Sequence, residues 1–232
     1  MKKIWLIIFV LLLNGLTFAK QTTKHAKHKA PVLNPQVELQ KLIDGNKRFA
    51  THHLKHPDES VARRIQLARK GQHPFAIILS CSDSRLPPEI IFDEGLGDLF
   101  VVRIAGNIAD DAVIASIEYA AEHLGASLLM VLGHEKCGAV NAAIANQREG
   151  HISALVDAIH SAVEDVQASQ GKKQADDSPQ FHEQVAKANV KTVIGRLRAS
   201  EPILAHLIAE KKLMVVGGYY HLASGKVSLL HD

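Results

Sequence analysis

FAIILSCSDSR at 75–85 and LLMVLGHEKCG at 128–138 are built on one plan. In each, a short unbroken apolar run is followed by a segment of small and polar residues that contains a cysteine. Runs of this length and composition read as strands buried on both faces, the kind found in parallel sheets. Two further runs, at 99–104 and 213–218, have the same character. Between and around the four lie stretches with apolar residues at helical spacing, at 110–124, 138–148, 152–169, 181–199 and 202–210. In the first of these, Val113, Ile114, Ile117, Ala121 and Leu124 form one stripe. Strands alternating with helices predict an α/β fold with a mainly parallel central sheet flanked by helices.

Upstream of the first strand, Leu39, Leu42, Ile43 and Phe49 predict a helix from Val37 to about residue 53. A second, shorter helix is expected at 59–70, ending at Gly71. His52, His53 and His56 read as surface residues before Pro57. Residues 227–230 are a candidate final edge strand, and 171–179 a polar loop. No internal repeat or second domain boundary interrupts residues 37–232, which read as one domain.

Composition narrows the function classes. With 47% hydrophobic and 22% charged residues the chain is not a disordered polymer, and with 5% aromatics its core must be mostly aliphatic. Two cysteines cannot make a disulfide scaffold. The formal net charge is +3; without Lys2 and Lys3 it is 25 − 24 = +1, so nothing electrostatic favours nucleic acid.

Residues 1–19 (MKKIWLIIFVLLLNGLTFA) have the plan of a signal peptide. Lys2 and Lys3 are followed by an apolar run of ten residues, Ile4 to Leu13, and Thr17-Phe18-Ala19 then places small residues at the two positions a signal peptidase needs. Ten residues do not span a bilayer core of about 30 Å. The expectation is cleavage after Ala19, export to a bacterial periplasm and no membrane attachment afterwards. Residues 20–36 read as a flexible basic segment, with His25 and His28 in a solvated linker.

In open α/β sheets ligands gather at the carboxyl ends of strands. Cys81, Asp83 and Arg85 follow one predicted strand; His134 and Cys137 follow another. If those strands are neighbours, Cys81, Asp83, His134 and Cys137 converge. Thiolates and imidazole select zinc over magnesium or calcium. A lone Cys or His would read as a core hydrophobe or a hydrogen-bonded strand end; two such loops together read as a metal site. Asp83 decides between a closed and an open site. An Arg fork grips a carboxylate by paired hydrogen bonds. With Arg85 holding Asp83, the metal keeps an open position that can activate water. With Asp83 on the metal, the site is capped.

These motifs resemble the β-class carbonic anhydrases. The likeness extends to GDLFVVR at 97–103, SIEYA at 116–120 and GGYY at 217–220, and it covers roughly residues 39–227. The resemblance implies one zinc ion per subunit on Cys81, His134 and Cys137, with Asp83 as fourth ligand in a closed state. It implies an Asp83–Arg85 catalytic dyad, and reversible hydration of carbon dioxide to bicarbonate by attack of zinc-bound hydroxide. Gln72, Phe100, Tyr119 and Gly138 occupy the family's substrate-pocket positions, with the Tyr contributed by a partner subunit. An active site at a dimer interface follows, in a homodimer or a tetramer. Two positions depart from the pattern. Ile104 stands where members often have Asn. Ile78 stands where members regulated by bicarbonate have Trp, so that regulation is not expected.

Three other readings share some of these features. A zinc hydroxide could act on carbonyl sulfide or carbon disulfide, which are also linear. A zinc-storing protein would have no use for the Asp83–Arg85 pair. A thiol redox protein would join Cys81 to Cys137, but the chain has no Cys-x-x-Cys motif.

Overall fold

In the computed structural model, which describes residues 34–171 and 178–231, the four predicted runs are adjacent strands of one sheet. The strands are β1 (Ala76–Ser80), β2 (Leu99–Arg103), β3 (Leu128–His134), β4 (Met214–Tyr220) and β5 (Val227–Leu230). Their order is β2-β1-β3-β4-β5, with the first four parallel and β5 antiparallel at one edge. The mainly parallel sheet expected from the sequence is therefore present. The proposed leader at 1–19, and 20–36 up to residue 33, lie outside the described residues, as does most of the loop at 171–179.

β1 and β3 are buried along their whole lengths because both sheet faces are covered. Ile78, Met130 and Leu132 face one core with α5 (Gly138–Ile144) and α6 (Ile152–Ser169). Ile77, Leu79, Leu129 and Val131 face the other, with α4 (Asp111–Glu118), part of α7 (Pro179–Arg198) and α8 (Leu204–Ala209). β2 differs from the expectation. As an edge strand it is buried fully only at Leu99, and Arg103 reaches solvent.

Helix limits follow local chemistry more than apolar periodicity. α1 (Pro35–Ala50) begins two residues before the apolar pattern, because the Asn34 side chain accepts from the Gln36 amide and Pro35 fits the first helical position. It ends before residue 53, where Thr51 caps it and His52 turns left-handed at φ 59°. α2 (Val61–Lys70) is capped by Ser60 and closed by Gly71 at φ 80°. The predicted helix at 110–124 is α4 followed by a widened π turn, Tyr119–His123. A short α3 (Pro88–Ile91) and a 3-10 turn, Ala105–Asn107, were not legible in the periodicity.

Candidate metal centre

Parallel pairing of β1 with β3 aligns Ser80 with Leu132, so the segments that leave both strands emerge side by side. β3 runs two residues beyond its predicted end, which makes His134 its last residue, paired with Tyr220. Lys136, at φ 54°, turns the chain so that Cys137 comes back toward His134. Cys81 Sγ, a His134 ring nitrogen and Cys137 Sγ lie within 4.8 Å of one another, and all three residues are buried.

The donor atoms are prepared for a cation. His134 Nδ1 lies 2.9 Å from the Glu135 carbonyl, which can only accept, so Nδ1 carries the proton and Nε2 keeps its lone pair. Nε2 is buried and has no protein partner. The two cysteines are free, with their sulfurs 4.0 Å apart. Two thiolates on tetrahedral zinc would stand about 3.8 Å apart at Zn–S distances near 2.3 Å. The separation fits a shared ion, and a disulfide would need about 2 Å. The bond with Cys137 pulls the Cys81 thiol to about 4, below its ordinary 9.0. That same contact, together with burial, pushes Cys137 up. The contact thus favours a thiolate on Cys81 and opposes one on Cys137, and a nearby cation would favour both. The buried lone pair, the spacing and the donor set all fit zinc.

Asp83 lies outside this triad, in the fork of Arg85. Its Oδ1 accepts from the Arg85 backbone amide at 3.0 Å and from Nε at 2.9 Å, and its Oδ2 accepts from Nη2 at 2.6 Å. Those bonds hold the Asp83 carboxyl well below the usual carboxylate range. Arg85 Nη2 also reaches the Lys136 carbonyl at 3.3 Å, tying the first loop to the second. Gly138, just after Cys137, is exposed, and a Cβ built on it would meet nothing within 4 Å.

The remaining pocket residues stand elsewhere in the same chain. Gln72 is exposed before the amino end of β1, whereas Cys81 follows its carboxyl end; five residues of strand put about 17 Å between the two ends. Phe100 pairs with Ile77, four residues short of Cys81, and its ring lies 6.4 Å from that of Tyr119, which is 51% exposed. The structure brings Phe100 and Tyr119 together but joins neither to the triad within one subunit.

Two residues contribute that the sequence reading missed or misjudged. Arg103, the last residue of β2, grips backbone. Its Nε donates to the Cys81 carbonyl at 3.1 Å and its Nη2 to the Asp83 carbonyl at 2.6 Å. Only the sheet register, which sets Arg103 beside Ser80, brings its guanidinium to those carbonyls. Gly106 donates its N–H to Cys81 Sγ at 3.3 Å. It sits at φ 71°, and a Cβ there would come within 2.7 Å of Ile159 Cδ1. Of the two departures from the family pattern, Ile78 is fully buried in β1, and Ile104 packs between both cores while its amide donates to the Ser80 carbonyl.

Fold and site together define a mononuclear zinc enzyme, with its metal donors at the carboxyl ends of two adjacent parallel strands. A family model described as carbonic anhydrase matches residues 76–227. Carbonic anhydrase 2 of Mycobacterium tuberculosis is 40% identical over 205 residues, covering 86% of this chain and 94% of that protein. A carbonic anhydrase of Mycolicibacterium smegmatis is 37% identical, covering 86% and 95%. Among solved structures, the β-carbonic anhydrase CcaA superposes with a TM-score of 0.68 at 26% identity, covering 83% of this chain and 95% of that one. One of two tetrameric β-carbonic anhydrases from Sordaria macrospora superposes with a TM-score of 0.66 at 26% identity, covering 85% and 95%. The chain belongs to the β-class carbonic anhydrase family. It is a zinc-dependent carbonic anhydrase that reversibly hydrates carbon dioxide to bicarbonate and a proton.

Proposed function

We propose that catalysis in this chain runs from the open form of the site, with Cys81, His134 and Cys137 as the only protein ligands and Asp83 held off the metal by Arg85. The observation that carries this reading is the three-bond grip of Arg85 on Asp83 beside the triad. Zinc bound there supplies a water acidified enough to act as a nucleophile near neutral pH. Asp83 orients that water. A carboxylate has about four acceptor positions; Arg85 fills both of those on Oδ1 and one on Oδ2. The free position on Oδ2 would accept a hydrogen bond from that water and so turn a remaining oxygen lone pair toward carbon dioxide. Arg103 keeps Cys81 and Asp83 in register by holding both of their carbonyls. Exposed Gly138 leaves room for the substrate beside Cys137.

Gln72, Phe100 and Tyr119 act, in this reading, on the site of a second subunit, where Gln72 donates to a bicarbonate oxygen. Support comes from their distance from the triad in their own chain and from the exposed apolar residues Val61, Ile65, Leu96 and Tyr119. The Sordaria macrospora relatives are tetramers, and a dimer is the smallest assembly that completes the site. Among the described residues no helix is long and apolar enough to cross a membrane. The leader at 1–19 supports export to a periplasm and cleavage after Ala19.

Stopped-flow hydration of carbon dioxide, paired with a zinc count and a sedimentation measurement on the mature chain, tests the assembly and the site together. Activity is expected from dimers or larger species with one zinc per subunit. An active monomer would overturn the shared site. Carbonyl sulfide and carbon disulfide in the same assay check the neighbouring chemistry. N-terminal sequencing of the exported protein checks the cleavage.

A further inference from the structure

Asn189 is the one strongly polar residue in a buried stripe of α7 that runs from Phe181 through Val185, Ala186, Val190, Val193 and Ile194 to Leu197. It is 1% exposed. Its Oδ1 has no partner, a costly state for a buried amide unless the other end is needed. That other end has a single target: Nδ2 donates to the Gly106 carbonyl at 2.8 Å. Gly106 in turn donates its own N–H to Cys81 Sγ at 3.3 Å.

Glycine rotates more freely about its backbone bonds than any other residue, and Gly106 sits in the left-handed region at φ 71°. An N–H that must point at one sulfur needs something to stop that rotation. Ile159 and Ala139 close the space above the Gly106 Cα, and the Asn107 amide closes the turn onto the Ile104 carbonyl. The Asn189 amide holds the remaining free group, the Gly106 carbonyl.

We propose that Asn189 is a positioning residue for the metal centre: it anchors Gly106 so that the Gly106 amide donates to the Cys81 sulfur and tempers that thiolate as a ligand. The inference rests on Cys81 being a zinc ligand. An N–H bond withdraws electron density from a thiolate. With it, the sulfur donates less charge and the metal remains the stronger Lewis acid. Without it, the sulfur donates more, and the ligand is also less well held.

Cobalt replacing zinc gives the readout, through its thiolate-to-metal charge-transfer absorption. In Asn189→Leu, of similar volume but without a donor, and in Asn189→Ala, this band is expected to move to longer wavelength. The pH profile of carbon dioxide hydration should shift upward. Zinc affinity, by chelator competition, should fall roughly ten-fold, the lower end of what loss of a partner behind a ligand usually costs. Val193→Ala, a cavity in the same helix, should leave band and profile where they are. An unmoved band in both Asn189 variants would overturn the proposal, as would an equal shift in Val193→Ala. Asn189 variants that fail to fold while Val193→Ala folds would assign Asn189 to the core and overturn it too. A wild-type cobalt protein without a thiolate band would instead sink the ligand assignment on which the inference rests.

Discussion

Asp83 and Arg85 are two positions apart, and the bonds between them decide what the metal can do. Because Arg85 donates to both carboxylate oxygens, Asp83 stays ionised and is held outside the triad. Asp83→Asn keeps the shape but sets an amide NH2 against the guanidinium, so the fork can no longer close on both atoms. Zinc content should stay near one per subunit while kcat falls on the order of 10²-fold, the scale of a lost acid–base contact. Metal analysis and stopped-flow rates on the same preparation check this; loss of zinc would instead make Asp83 a resident ligand. The residue identities here were legible in the sequence, since two loops bearing Cys/Asp and His/Cys have few bland explanations. The backbone contacts of Arg103 and Asn189 were not, because a carbonyl has no signature in a sequence.

Helices and strands bring these loops together, and their fit tolerates little added volume. Gly133 precedes His134 at the end of β3, under α7. A Cβ built there would come within 2.6 Å of Val190 Cγ2 and 3.6 Å of the Ala186 carbonyl. Gly133→Ala must push α7 outward or rotate Val190. A loss of about 1–3 kcal/mol is expected from such overpacking, read as a lower urea midpoint at unchanged slope. An unchanged midpoint would mean that α7 yields freely. At this scale the apolar runs located every major strand. Their ends were set by other things. α1 starts where Asn34 caps it, and β3 extends to His134 because β4 offers a pairing partner there. Periodicity sees which face is apolar; it does not see capping bonds or the length of a neighbouring strand.

In the molecule as a whole, half-buried and buried carboxylates set opposite responses to pH. Asp83 and Asp93 are held below their ordinary 3.8, Asp83 chiefly by Arg85 and Asp93 by bonds from Arg48 and the Lys55 and His56 amides that outweigh its burial. Their contribution to stability is present above that value and lost as pH falls below it. Glu94 behaves in the opposite way. Burial raises it above 4.5, only partly offset by Lys41 at 3.0 Å, and its Oε1 has no partner. Between 4.5 and its folded value the native chain binds more protons than the unfolded one, so stability drops as pH rises through that window. Glu94→Gln removes this titration. The urea midpoint of the variant should decline less between pH 4.5 and 7 than that of the wild type, and an equal or steeper decline would refute the assignment. Assembly belongs to this scale as well. Val61→Asp with Ile65→Asp, both on the exposed face of α2, should shift the protein toward monomers and abolish hydration while zinc is retained. Sedimentation and a zinc count check this, and an active monomer would refute it.

By itself the sequence determined the sheet class, the three metal donors and the Asp–Arg pair. These depend on residue chemistry and on strand–helix alternation, which are local and leave a pattern along the chain. Only the tertiary structure decided which strands are neighbours, how far apart the two sulfurs stand and where the Asp83 carboxylate rests. It alone showed that Gln72 lies at the wrong end of β1 to serve its own metal. The physical reason is range. Apolar periodicity and turn chemistry act over a few residues, whereas the site is assembled from loops 56 positions apart that meet only because two strands pair in register.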